Sequence, residues 1–133
     1  MAVISTETLP VACEADIVTV RRCVRESATK LGFSLVDQTK VVTAASELAR
    51  NTLVHGHGGH MEMATLNGPR AGLRLVFEDK GPGIPNIDLA LRDGFTTGQG
   101  LGLGLGGAKR LVSEFEVQSR VGEGTKVTVI RWK

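Results

Sequence analysis

Between Lys80 and Gly107, glycine and proline interrupt the chain too often for a long helix or strand to pass through. Gly81-Pro82-Gly83-Ile84-Pro85 opens the stretch, Gly94 and Gly98 follow, and Gly100-Leu101-Gly102-Leu103-Gly104-Leu105-Gly106-Gly107 closes it. Each glycine costs a helix or strand roughly 0.5–1 kcal/mol relative to alanine, and an internal proline costs more. The expectation is a mostly irregular segment from Lys80 to Gly100 with one short helix around Ile87 to Arg92, leading through the glycine run into a helix from Ala108 to Glu114. A loop this long between a strand and a helix is a candidate cover for a ligand.

Long helices and strands are thereby confined to the two sides of that stretch. Leu9 to Cys13 reads as a strand, beginning as early as Val3, and Pro10 suits a sheet edge. From Glu14 to Leu31, Ile17, Val20, Val24, Ala28 and Leu31 recur at three- and four-residue steps, which predicts an amphipathic helix closed by Gly32. Ser34-Leu35-Val36-Asp37 is an approximate capping box, with Asp where Glu or Gln is usual. It predicts a second helix running to about His55, stopped by Gly56, with Val41, Ala44, Ala45, Leu48 and Thr52 on its buried stripe. His60–Leu66 and Leu73–Asp79 read as a strand pair joined by Asn67–Gly72, and Glu116–Val121 and Lys126–Trp132 as a second pair joined by the turn Gly122-Glu123-Gly124-Thr125. The order strand, two helices, strand pair, loop, helix, strand pair suits an α+β fold: a two-layer α/β sandwich with a mixed, mostly antiparallel sheet and helices on one face.

At 133 residues the chain is expected to be a single domain over 1–133, too short to hold a catalytic domain and a substantial second one. Its 16 basic and 14 acidic residues are spread along the sequence, and aromatics are 4% of it with no tyrosine. Neither a basic stripe nor a stacking platform for bases is evident, so no direct nucleic-acid partner is expected. No apolar run is long enough for a bilayer, and the reading is a cytoplasmic protein with no membrane partner. Cys13 and Cys23 are neither a disulfide framework nor spaced as paired metal ligands. His55, His57 and His60 lack a neighbouring Cys or Asp ligand and read as a helix end and a polar turn.

The chemistry-bearing residues fall in a fixed order. Glu47 and Asn51, in Ser46-Glu47-Leu48-Ala49-Arg50-Asn51, are one helical turn apart, so a carboxylate and an amide share one face and can address one cation or phosphate. Asp79 stands at a strand end before the sharp turn of Gly81 and Gly83, where a carboxylate can accept from an exocyclic amine; an ordinary glycine-proline turn is the plainer alternative. The glycine-leucine run feeds a helix N-terminus, a place where free N–H groups favour an anion. No Gly-Lys-Ser or Gly-Lys-Thr follows it, which excludes a Walker loop.

Together, Glu47-Leu48-Ala49-Arg50-Asn51-Thr52-Leu53-Val54-His55-Gly56, Asp79-Lys80-Gly81-Pro82-Gly83-Ile84, Gly100-Leu101-Gly102-Leu103-Gly104-Leu105 and Gly122-Glu123-Gly124-Thr125 resemble the N, G1, G2 and terminal Gly-x-Gly-Thr boxes of the GHKL ATPase/kinase superfamily. Within it the short length and the segment Asp93-Gly94-Phe95-Thr96-Thr97 are similar to the anti-sigma-type serine/threonine kinases of bacterial stressosome pathways. The resemblance implies the Bergerat ATP-binding fold, with ATP and Mg²⁺ as cofactors. It implies that Asn51 is the Mg²⁺ ligand, Asp79 the adenine-reading carboxylate and Thr125 its support. Gly81, Gly83, Ile84, Gly100, Gly102, Gly104 and Leu105 would line the nucleotide, Pro85 to Gly100 would be the ATP lid, and Glu47 would be the general base.

The implied activity is transfer of phosphate to serine or threonine of STAS-domain antagonist or scaffold proteins, with binding and activation of a PP2C-type phosphatase on release. Related kinases carry an arginine just ahead of the G2 glycines, whereas Gly98-Gln99-Gly100 has none; Lys80, Lys109, Arg110 or a partner group are the possible substitutes. The alternative is a non-catalytic ATP-binding, anti-sigma-like sequestering module.

Overall fold

The computed structural model describes residues 2–91 and 104–133. In chain order they form β1 (Ala2–Val11), α1 (Glu14–Lys30), α2 (Leu35–Val54), β2 (Gly59–Asn67), β3 (Gly72–Asp79), α3 (Ile87–Ala90), α4 (Gly104–Lys109), β4 (Glu114–Arg120) and β5 (Gly124–Trp132). The strands make one five-stranded sheet in the order β1-β2-β3-β5-β4. Every pairing in it is antiparallel, so the sheet is not mixed. Pro10, which has no N–H to give a ladder, lies in the edge strand opposite His60.

Alternation along the strands decides which face is covered. Met61, Phe77, Val127 and Val117 stand in one transverse row, and Met63, Leu75, Val129 and Phe115 in the next. These side chains join Ile17, Val20 and Val24 of α1 and Val41, Ala45 and Leu48 of α2 in the core, so both long helices lie on this face. Glu62, Arg74, Glu78 and Lys126 alternate onto the other face, and the result is a two-layer sandwich.

The helix signals act as their chemistry requires. Gly32, at φ 85°, closes α1 in a Schellman arrangement, with Gly32 N–H donating to Thr29 O and Phe33 N–H to Ala28 O, both at 3.0 Å. Ser34 Oγ caps α2 by accepting the Asp37 N–H at 3.1 Å. The expected reciprocal half of that capping box is replaced by an ion pair: the Asp37 carboxylate accepts from Arg131 Nη2 of β5 at 2.6 Å. The buried face of α2 holds all five expected residues and adds Val42 and Ala49, because the helix packs against α1 and α4 as well as the sheet. Thr52 enters this stripe by donating its hydroxyl to Leu48 O at 3.0 Å.

Four elements have boundaries that differ from expectation. The helix placed at Ala108–Glu114 instead spans Gly104–Lys109, because Leu105 and Ala108, three residues apart, are buried together in the core. Glu114 already belongs to β4, and the short helix expected around Ile87 to Arg92 ends at Ala90. Gly124 and Thr125 are not turn residues but the start of β5, paired with Arg120 and Ser119. Among the described residues no helix is long and apolar enough to cross a membrane.

Candidate functional site

The apolar rows of the sheet end in a polar one. Gly59, Asp79, Thr125 and Ser119 are successive partners across β2, β3, β5 and β4, one row beyond Met61, Phe77, Val127 and Val117 and on the same face. Asp79 is 8% exposed and Thr125 7%, so a carboxylate and a hydroxyl are buried where the core stops and the end of α2 begins.

Glycines pack around this row so closely that side chains would not fit. A Cβ at Gly56, just beyond α2, would lie 2.3 Å from the Asp79 carboxyl carbon, and one at Gly124 would lie 2.1 Å from the Asp79 carbonyl oxygen. Gly81 in turn lies against the Gly56 backbone. Asp79 Oδ1 accepts the Gly81 N–H at 2.9 Å. Burial pushes the Asp79 carboxyl above the ordinary carboxylate range, while the Gly81 and Thr125 backbone N–H groups and nearby His57 pull the other way.

The turn after β3 is fastened to the β4–β5 hairpin. Gly122 N–H donates to Pro82 O at 2.8 Å, Ile84 N–H donates to Ser119 Oγ at 2.8 Å, and Gly83, at φ 78°, sits on the Arg120 carbonyl. Ser119 Oγ also donates to Gly124 O at 3.1 Å and lies 2.8 Å from Thr125 Oγ1. Sequence reasoning missed Ser119, since a serine in an alternating strand reads as solvent-facing; its place two residues beyond Val117 on the core side was the available signal.

Glu47 and Asn51 approach from α2. Both are half-buried, and neither side chain has a hydrogen bond or ion pair among the described residues. The Asn51 carbonyl accepts from His55 N–H at 2.9 Å and Gly56 N–H at 3.2 Å, so the helix runs directly into the glycine that touches Asp79. At 1.5 Å per residue, Asn51 lies about 7 Å and Glu47 about 13 Å back along the helix axis from Gly56. Along the axis of α2, Glu47 and Asn51 thus precede the glycine that touches Asp79.

The other expected site residues divide. Gly81, Gly83 and Thr125 converge with Asp79, and Ile84 is held by Ser119 while packing against the core. Gly104 opens α4, but the Leu105 side chain is buried in the core. Gly100, Gly102, the segment 93–97 and most of the expected lid lie outside the described residues. Of the histidines, His57 has a left-handed backbone at φ 60° and His60 pairs with Glu78 at 3.5 Å. Among the described residues no group of three His, Cys, Asp or Glu side chains is placed to hold a metal ion.

Chemically, a buried acceptor with close-packed glycines around it fits a ligand that offers N–H donors. An uncommitted amide and carboxylate farther along fit a cation and a proton transfer.

Residues 19–133 match the family described as histidine kinase-, DNA gyrase B- and HSP90-like ATPase. The chain is 45% identical over 120 residues to the serine/threonine-protein kinase RsbT of Bacillus subtilis, covering 90% of each protein. It is 28% identical over 117 residues to an anti-sigma F factor of Thermoanaerobacter, covering 84% of this chain and 82% of that one. In fold it is similar to the RsbU and RsbW domains of a Mycobacterium tuberculosis protein, with a TM-score of 0.64 and 24% identity; 96% of this chain is covered and 32% of that one, so the chain spans about a third of that structure's length. A mycobacterial sensor histidine kinase, MprB, gives a TM-score of 0.57 at 17% identity over 96% of this chain and 97% of that one.

Proposed function

The chain belongs to the histidine kinase-, DNA gyrase B- and HSP90-like ATPase family, and from that premise we propose that it is an ATP-dependent protein serine/threonine kinase of a partner-switching stress pathway, acting in the cytoplasm. The observation that carries the reading is buried Asp79 set against Gly56, at the end of the helix on which Glu47 and Asn51 stand one turn apart with their side chains left without partners among the described residues. Asp79 and Thr125 hold the adenine, and Gly81 and Gly83 let the chain approach it. Asn51 supplies a ligand for Mg²⁺. Glu47 accepts the proton of a serine or threonine hydroxyl as its oxygen bonds to the γ-phosphorus and the bond to the β-phosphate bridging oxygen breaks. ATP would bring the transferable phosphoryl group, and Mg²⁺, held in part by Asn51, would supply positive charge beside it.

Its substrates are STAS-domain antagonist or scaffold proteins. Phosphorylation adds nearly two negative charges to such a partner, which separates the complex and frees the kinase to bind and activate a PP2C-type phosphatase. A sequestering module that binds ATP without transferring phosphate is the second reading, favoured by Gly98-Gln99-Gly100, which offers no arginine to the γ-phosphate.

Incubation with γ-labelled ATP, Mg²⁺ and a cognate STAS-domain protein separates the two. Label on serine or threonine, lost in Glu47→Ala and Asn51→Ala, is the expected result. ATP binding with no transfer would leave the sequestering module.

A further inference from the structure

Ser119 is joined to three parts of the candidate site. Its oxygen accepts the Ile84 N–H at 2.8 Å, donates to Gly124 O at 3.1 Å, and lies 2.8 Å from Thr125 Oγ1. A hydroxyl has one proton and two lone pairs. Gly124 O can only accept, so all three contacts are hydrogen bonds at once only when Ser119 gives its proton to Gly124 O, takes the Ile84 N–H on one lone pair and takes the Thr125 hydroxyl hydrogen on the other. Thr125 Oγ1 then has only lone pairs left for anything else. Its cross-strand neighbour Asp79 is also an acceptor when ionised, and both side chains lie on the helix-covered face at the end of the sheet.

We infer that Ser119 is a specificity-determining residue: by taking the Thr125 proton it fixes an acceptor-only floor, which favours a 6-aminopurine nucleotide over a 6-oxopurine one. An exocyclic amine gives this floor N–H donors, whereas a 6-oxo group sets lone pairs against lone pairs. Without the Ser119 hydroxyl, the Thr125 proton is released to donate, and the mismatch with a carbonyl is relieved. The inference rests on the nucleotide reading of this site and adds a residue that neither touches the base nor carries the charge.

The test is titration calorimetry of the full chain with ADP and with inosine diphosphate, which differ at position 6 and the adjoining ring nitrogen. Wild type should prefer ADP. Ser119→Ala should cut that preference about tenfold, mainly by strengthening inosine diphosphate relative to ADP, and Ser119→Thr, which keeps the hydroxyl, should restore it. Thr125→Val removes the acceptor itself while leaving Ser119 on Ile84, and should lower the same ratio. It therefore carries the test if Ser119→Ala does not fold. An unchanged ratio in either folded variant, or equal weakening of both nucleotides, overturns the inference and reduces Ser119 to a structural tie. Wild type binding neither nucleotide would refute the nucleotide reading itself, and the inference with it.

Discussion

The two ends of the candidate site are built in opposite ways. Around Asp79 the polar groups are tied together: Gly81 N–H is on the carboxylate, Ile84 N–H is on Ser119, and glycine backbones fill the space where side chains would stand. On α2, about one and a half and two and a half helical turns back from Gly56, Asn51 and Glu47 are half-buried with nothing bonded to them among the described residues. Buried polar groups without partners cost stability. Under the proposed function, the completed end would seat the base of the nucleotide and the uncommitted groups would serve the phosphate that is transferred.

The widest separation between the two ends should come from Glu47→Ala. Phosphate transfer is expected to fall by about 10²–10⁴-fold, the usual contribution of a positioned general base, while stability shifts by no more than about 0.5 kcal/mol. Parallel transfer and thermal-melting measurements check it; a large drop in melting temperature would mean that Glu47 is structural and erase the contrast. Gly124→Ala should do the reverse. Its Cβ would collide with the Asp79 carbonyl at a backbone φ of 107°, so a loss of about 2–3 kcal/mol is expected by denaturant titration, with nucleotide binding lost as Asp79 shifts.

The carboxylates Asp79 and Asp37 should titrate in opposite senses. Burial raises the Asp79 pKa in the folded state, so its contribution to the stability of the ligand-free protein is fully present below the unfolded value of about 3.8 and is lost as pH rises through the folded value. Its hydrogen bond to an amine follows the ionised form, so nucleotide affinity should fall as the solution is acidified through that same range. The Arg131 hydrogen bond lowers the Asp37 pKa, so its contribution is present above about 3.8 and is lost as pH falls through the depressed value. Stability of wild type relative to Asp79→Asn should therefore rise on acidification, and relative to Asp37→Asn should fall. Matching slopes for the two variants would contradict the assignment. The smallest effect is expected at Glu14→Ala: it removes an exposed pair in which Arg50 Nη1 donates to Glu14 Oε1 at 3.1 Å, and should cost less than about 1 kcal/mol in the same titration.

How much of this was legible in the sequence depended on how far each cause reaches along the chain. Helix α2 was readable because its cap, its periodicity and its end are all local, and Val41, Ala44, Ala45, Leu48 and Thr52 fell where expected. Helix α4 was misplaced because six residues rich in glycine carry little intrinsic preference, and burial of Leu105 and Ala108 against α2 decides the matter. Gly124 and Thr125 carry turn composition, yet pairing with Arg120 and Ser119 makes them strand. Gly56 was expected to end a helix and to close the segment that resembles the superfamily's N box. Its tighter constraint is the Asp79 carboxylate, 23 residues later in the chain, which no local pattern reveals.

That contact leaves the molecule without slack at one joint. Between the last turn of α2 and the carboxylate at the end of β3 stand only the hydrogens of Gly56, with no side chain to bend or change rotamer. On the far side of the Asp79 carboxylate stands backbone, two residues beyond the end of the helix that bears Asn51 and Glu47. Any residue larger than glycine at position 56 must therefore displace the carboxylate, the end of the helix, or both.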